Sequence, residues 1–278
     1  MTLPIIISEQ LKNIKHFALD MDGTIYNGST LFPFTNDFLS YLKQNGIGYS
    51  FLTNNPSKST TDYLKHLEKM GITATADEMY TSAVATINYI KNHHPNLKRL
   101  FILGTPSMVK EFEDAGFIST ADSAEDRPDA LVVGFDTSLV YSRLCRTAYW
   151  ASQPLPYFAT NPDWVCPTDQ PNILVDCGSI CACIEGATKR KPDIIIGKPD
   201  PQMLDGIIHQ HGLKPNEIAM VGDRIYTDVK MAKNAGALGV LVLSGEATIN
   251  DVQQSTVKPD IVAKDLAELQ EFIQQAKA

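Results

Sequence analysis

Short apolar runs alternate with longer amphipathic stretches along the whole of this chain. The run 16–19 is apolar and stops at acidic residues. A helical stretch is predicted over 36–45, closed by Gly46, and a second strand over 47–52. Residues 57–70 place Tyr63, Leu64, Leu67 and Met70 on one helical face, with Gly71 as the C-cap. Apolar runs at 194–196, 218–221 and 240–243 follow, separated by helix-like segments. The middle repeats the pattern on its own: 100–103 and 131–133 read as strands, 105–115 and 138–152 as helices. The stretch 122–128 is polar, and 154–172 is rich in Pro and Asp. Such alternation implies βαβ units and a mostly parallel sheet. The expected fold is α/β: a doubly wound, Rossmann-like core formed by 1–80 and 180–278, with a second α/β domain, 81–179, inserted in it.

Composition narrows the setting. With 278 residues, the chain is long enough to bury about three quarters of its unfolded surface without disulfides. The net charge of −8 argues against a general nucleic-acid or anionic-membrane binder. It does not exclude a phosphate substrate, because a metal ion and a few cations can reverse the local field. No apolar run approaches the ~18 residues of a membrane span. Pro4-Ile5-Ile6-Ile7 is too short for a signal peptide and has no basic residue before it. The expectation is a cytoplasmic protein, consistent with its odd count of five cysteines. In that compartment the sequon at Asn27-Gly28-Ser29 would never be glycosylated.

Four short segments carry candidate chemistry. In Asp20-Met21-Asp22-Gly23-Thr24, residues i and i+2 of an extended backbone face one side. Two carboxylates at a strand's carboxyl end can divide the work of nucleophile and general acid/base; the competing reading is a capped turn. Thr53-Asn54-Asn55 offers a hydroxyl and successive N–H groups to a phosphoryl oxygen, or is only a helix cap. Gly197-Lys198-Pro199 can place one ammonium on a phosphate, or leave a solvated lysine. Asp223 and Asp228, in Gly222-Asp223-Arg224-Ile225-Tyr226-Thr227-Asp228, suit a hard cation such as Mg²⁺, or a turn capping a helix at Thr227 or Asp228. No single segment decides between chemistry and structure, but together they assemble a nucleophile, a proton donor, a cation clamp and a metal site.

In this order, the four segments resemble motifs I to IV of the haloacid dehalogenase-like (HAD) hydrolase superfamily. The resemblance implies that Asp20 is a nucleophile and Asp22 its acid/base, with an aspartyl-phosphate intermediate. It implies that Thr53 and Lys198 hold the phosphoryl group, and Gly23, Thr24, Asn54 and Asn55 are expected to bind substrate beside them. It also implies Mg²⁺ held by the Asp20 side chain, the Asp22 carbonyl and Asp223, with Asp228 supporting the metal shell or orienting Lys198. The size and position of the insert are similar to the large cap of the nitrophenyl-phosphatase/NagD branch. So are Thr160-Asn161-Pro162-Asp163 and the run from Cys177 to Glu185. Some members of that branch carry a His near the position of Cys166. The activity implied is hydrolysis of small phosphate monoesters: sugar phosphates, phosphoglycolate, nucleotides or nitrophenyl phosphate. A homodimer through the cap is compatible with the resemblance. The alternatives are a phosphometabolite-binding or regulatory protein, or a phosphomutase, on the same fold.

Within the cap, the loop 161–166 interrupts the regular pattern. Asp163 is expected to accept hydrogen bonds from sugar hydroxyls and Trp164 to stack on a ring or exclude water; otherwise Asp163 caps a turn and Trp164 fills the cap core. The spacing of Cys177, Cys181 and Cys183 fits no zinc or iron–sulfur pattern and reads as small residues where a helix meets the core. Tyr149 and Trp150 read as cap core, and His93, His94, His209 and His211 as solvated helix ends. No GxGxxG or GxxxxGK[ST] occurs, so neither a nicotinamide nor a P-loop site is indicated.

Overall fold

The structure, a computed structural model, describes residues 5–168 and 170–278. Pro4 of the N-terminal apolar run and one position of the Pro/Asp-rich stretch lie outside the described residues. The chain forms two compact units, one of 1–52, 66–80 and 198–278, the other of 53–65 and 81–197.

The first unit is built on a six-stranded sheet. Its strands lie in the order Ile261–Ala263, Leu238–Val242, Ile218–Gly222, His16–Asp20, Gly48–Thr53, Met79–Thr81. Every pairing from Ile261–Ala263 across to Gly48–Thr53 is parallel. The His16–Asp20 and Ile218–Gly222 strands are buried along their full length, as their unbroken apolar runs require of a sheet covered on both faces. Chain order reverses between these two strands, which opens a crevice at their carboxyl ends. Leu19 pairs with Val221 there, so Asp20 and Asp223 emerge side by side. Helix Leu266–Lys277 packs against Ile5–Asn13 and Thr35–Gln44.

The second unit has a five-stranded parallel sheet in the order Ile194–Ile195, Tyr157–Ala159, Ala130–Val133, Arg99–Leu103, Ile118–Ser119. Alternate strand residues feed two cores. Phe101, Leu103, Leu131 and Val133 pack with Trp150, Cys177, Ile180 and Ile184. Leu100, Ile102, Ala130 and Val132 pack with Ile87, Ile90, Met108 and Phe112.

Glycine-terminated helices lie close to where periodicity places them. The amphipathic stretch 57–70 is helical only over Thr60–Lys69, with Tyr63 and Leu67 buried, and Gly71 adopts φ +83°. Residues 138–140 stay outside the helix Tyr141–Ala151. The division into 1–80 with 180–278 and 81–179 differs from these units at two places. Strand Ile194–Ile195 pairs with Tyr157–Ala159, and helix Cys177–Thr188 packs in the second unit's core, so 180–197 joins that unit. Residues 53–65 join it as well. Cys177 and Cys181 are buried on their helix, and no disulfide occurs among the described residues. Trp150 is buried as expected, but Tyr149 is 42% exposed with the Arg146 guanidinium over its ring, so it is not cap core. No helix among the described residues is long and apolar enough to cross a membrane.

His16 opens the central strand and is itself buried, with Nε2 2.9 Å from Ser50 Oγ. Gly48 makes room for it: a Cβ there would stand 2.5 Å from His16 Nδ1. Burial, and to a lesser extent the neighbouring His211, lowers the pKa of His16 to about 3. The unfolded chain therefore takes up a proton near pH 6.5 that the folded chain refuses until about pH 3. Its contribution to stability is complete above pH 6.5 and is lost as the pH falls towards 3. Urea unfolding at successive pH values should show stability declining below about pH 6.5, with a shallower decline in His16→Asn. An equal slope in that variant would remove His16 as the cause.

Candidate active site

Strand His16–Asp20 delivers Asp20 to the crevice, and strand Ile218–Gly222 delivers Asp223. Asp228 follows on a π-helical turn, Ile225–Val229, in which the Val229 amide reaches back to the Arg224 carbonyl at 3.3 Å. Such widened turns recur at functional sites because they re-aim one side chain within a helix. The reading of a turn with a helix cap at Thr227 or Asp228 is replaced by this one.

Lys198 reaches the site differently from the other motif residues. The strand before it belongs to the second sheet, so Lys198 does not sit at a strand end of the first. It enters through a turn with a cis Lys198–Pro199 bond ahead of helix Gln202–His211. Its ammonium, 4% exposed as a residue, donates to Asp20 Oδ1 and, at 2.7 Å, to Asp228 Oδ1. Asp228 Oδ2 accepts the Arg224 amide at 3.1 Å, so both Asp228 oxygens are engaged by the protein. Asp223 Oδ2 accepts the Glu246 amide at 2.7 Å, whereas Asp223 Oδ1 is buried with no hydrogen-bond partner. Ligand atoms of Asp20, Asp223 and Asp228 all lie within 4.8 Å of one another.

Glycine makes this crowding feasible. A Cβ on Gly222 would stand 2.3 Å from the Asp228 carboxyl carbon, and one on Gly245 2.1 Å from Asp223 Oδ2. Gly23, at φ +83°, would place a Cβ 2.4 Å from the same oxygen. Ser244 Oγ donates to the Gly23 carbonyl at 2.7 Å and fixes the two loops against each other. Sequence reading missed Ser244, Gly245 and Glu246; the one local signal was a Ser-Gly pair just after the apolar run at 240–243.

The electrostatics follow from burial. Desolvation raises the Asp20 pKa above the ordinary carboxylate value, with Lys198 opposing it and Asp223 adding to it. Asp223 is pushed up to about 6 by burial and then by Asp228. Asp228 also rises to about 6, mainly by burial, against the pull of Lys198. Burial works against the Lys198 ammonium, but Asp20 and Asp228 outweigh it and leave that pKa above its usual value. Three buried carboxylates that resist ionisation, one with an oxygen left unpaired, fit a hard divalent cation with oxygen ligands.

Other site candidates have plainer surroundings. The regular strand stops at Asp20, so Asp22 is held not by strand geometry but by a bridge to Tyr26 and the Gly28 amide, at 3.4 Å. Asp22 is exposed, whereas Thr24 is fully buried with no hydrogen-bond partner for its hydroxyl. Thr53 ends its strand, one residue beyond Leu52, the partner of Asp20. No helix follows directly: Thr53 Oγ1 accepts the Asn55 amide at 3.2 Å, and Asn55 Oδ1 accepts the Ser57 amide and hydroxyl at 2.9 and 2.6 Å. The Asn55 carboxamide oxygen is thus committed to its own loop. Within the second unit, Asn54 lies 2.9 Å from Asp163, and Trp164 is 64% exposed, so it does not fill a core.

The chain is similar to known proteins over nearly its full length. A profile described as haloacid dehalogenase-like hydrolase matches residues 17–118, and one described as HAD-hydrolase-like matches 195–269. An acid sugar phosphatase of Staphylococcus epidermidis is 31% identical over 256 residues, covering 92% of this chain and 96% of its own. The 4-nitrophenylphosphatase of Thermotoga maritima superposes with a TM-score of 0.88 at 41% identity, covering 97% of this chain and 98% of its own. A glycerol phosphate phosphatase of Mycobacterium tuberculosis, solved in complex with magnesium, gives 0.85 at 28% identity, covering 93% and 78%. With the motif order, the fold and the family profiles in agreement, this chain belongs to the haloacid dehalogenase-like hydrolases.

Proposed function

We propose that the protein is a magnesium-dependent phosphatase that hydrolyses small phosphate monoesters, sugar phosphates and glycerol phosphate among them, through an aspartyl phosphate on Asp20. The observation that carries this reading is the buried cluster of Asp20, Lys198, Asp223 and Asp228 with the unpaired Asp223 Oδ1. A protein that only binds an anion gains nothing from apposed carboxylates. The relatives named acid sugar phosphatase, 4-nitrophenylphosphatase and glycerol phosphate phosphatase support the substrate class.

The chain's own groups divide the reaction. An Asp20 oxygen attacks phosphorus, the bond from phosphorus to the ester oxygen breaks, and Asp22 gives its proton to the departing alcohol. Asp22, exposed and placed beyond the strand end, can then take a proton from water. That water attacks phosphorus, frees Asp20 and releases inorganic phosphate. Lys198 holds Asp20 in place and offers positive charge to the phosphoryl oxygens; Asp228 holds Lys198. Thr53 supplies a hydroxyl to the same oxygens. Asp20, Asp223 and the Asp22 carbonyl would hold Mg²⁺, which neutralises phosphoryl charge and keeps the carboxylates ionised.

Asp20→Asn should lower kcat on nitrophenyl phosphate by at least about 1000-fold while the far-UV circular dichroism stays native, since an amide of the same shape is a poor nucleophile. Asp22→Asn should be nearly as damaging. A tenth of the wild-type rate surviving in Asp20→Asn would refute the covalent route.

EDTA should silence the enzyme and Mg²⁺ restore it, with Ca²⁺ a poor substitute. Asp223→Ala should raise the Mg²⁺ half-saturation strongly. Asp228→Ala should mainly lower kcat, because its oxygens serve Lys198 and the Arg224 amide. The raised carboxylate pKa of Asp223, about 6, means that Mg²⁺ must displace a proton at low pH. Calorimetry should therefore find affinity falling as the pH drops below about 6, with protons released on binding. PH-independent binding, or full activity in metal-free buffer, would contradict this assignment.

A further inference from the structure

Inside the second unit, one carboxylate joins the loop 161–166 to the segment that follows Thr53. Asp163 Oδ2 accepts from Asn54 Nδ2 at 2.9 Å and from Asn161 Nδ2 at 3.4 Å. Asn54 is 8% exposed and Asn161 1%, so these amides need protein acceptors. The loop backbone is equally committed. The Asp163 carbonyl accepts the Gly178 amide at 2.8 Å, and the Trp164 carbonyl accepts the Asp176 amide at 3.1 Å and the Ser179 hydroxyl at 2.6 Å. A Cβ on Gly178 would stand 2.3 Å from the Pro162 carbonyl oxygen, so the loop lies flush on the start of helix Cys177–Thr188.

Asn54 is fixed from two further directions. Its carbonyl accepts the Ser82 hydroxyl at 2.6 Å. A Cβ on Gly197 would lie 2.8 Å from Asn54 Oδ1. In sequence, Asn54 follows Thr53, and Gly197 precedes Lys198. The residues next to Thr53 and Lys198 in sequence are thus packed around one buried carboxamide, which donates to Asp163.

We infer that Asp163 is a positioning residue: it fixes Thr53 through Asn54 and does not read the leaving alcohol of the substrate. Of the Asp163 carboxylate that the sequence suggested for sugar hydroxyls, Oδ2 already holds two amides. The kinetic consequence rests on the phosphatase reading above, and it has a distinctive form. A loosened Thr53 weakens contact with the phosphoryl group, which every substrate shares, so all substrates should suffer alike.

The test compares Asp163→Ala, Asp163→Asn, Asn54→Asp and the double exchange Asn54→Asp/Asp163→Asn. Each is assayed on nitrophenyl phosphate, glycerol phosphate and two hexose phosphates with saturating Mg²⁺. Asp163→Ala should lower kcat by about 10- to 100-fold, by one common factor across the panel, with KM and Mg²⁺ half-saturation nearly unchanged. Asp163→Asn keeps an acceptor and should stay near wild type. Asn54→Asp sets two carboxylates together and should be impaired, and the double exchange, which restores a donor–acceptor pair, should recover most of the loss. Amide hydrogen exchange over residues 53–57 should quicken in Asp163→Ala and Asn54→Asp and return in the double exchange. That arm reads the contact whether or not the chain turns over phosphate esters, so inactivity of the wild type with the exchange effect intact would count against the phosphatase reading alone. Should Asp163→Ala fail to fold, the Asn54→Asp pair decides. Unequal losses across substrates, a double exchange no better than Asn54→Asp, or unaltered hydrogen exchange would each overturn the inference.

Discussion

A buried ammonium between two buried carboxylates is the constraint on which the first unit's site is organised. Lys198 donates to Asp20 from one strand end and to Asp228 from the π-helical turn after another. Removing either partner would strand a charge out of water, a loss of several kcal/mol in typical buried pairs. The arrangement is not a stability device, since an apolar substitute of the same shape often serves stability equally well. Its value lies in orientation: the cation holds one oxygen of Asp20, and Asp228 is held in turn by the Arg224 amide.

That crowding explains the glycines. The carboxylates of Asp223 and Asp228 occupy space that side chains at 23, 222 and 245 would otherwise fill. Strand pairing sets the distance between Asp20 and Asp223, and absent Cβ atoms let the remaining groups close in around them. The unpaired oxygen of Asp223 and the carboxylates raised by burial follow from the same compression. A small, hard cation would relieve both together.

The second unit uses the same economy of contacts for a different end. Its two cores come from alternate residues of one parallel sheet, and its polar interior is a short network of Asn54, Asn161, Asp163 and Asp176. Buried amides and carboxylates of this kind must be fully partnered or they cost more than they contribute. Here the partnering immobilises the loop 161–166 from behind and leaves Trp164 projecting into solvent.

Local pattern alone placed most strands and helices within a few residues, because apolar periodicity and glycine caps act over one or two turns of chain. It also placed the four motif segments, whose resemblance to known motifs pointed to the family, and Asp20 and Asp223 follow apolar runs that read as strands. What it left open depends on which strand lies beside which. The run at 194–196 looks like any other, and only its pairing with Tyr157–Ala159 assigns it to the second sheet. Asp163 is 109 residues from Asn54, and nothing in either neighbourhood names the other as partner. Nor does a Ser-Gly pair after a strand reveal that it closes on Asp223. Periodicity records which face of an element is apolar. The partner of a buried polar group is set by long-range packing, and only the tertiary structure decides it.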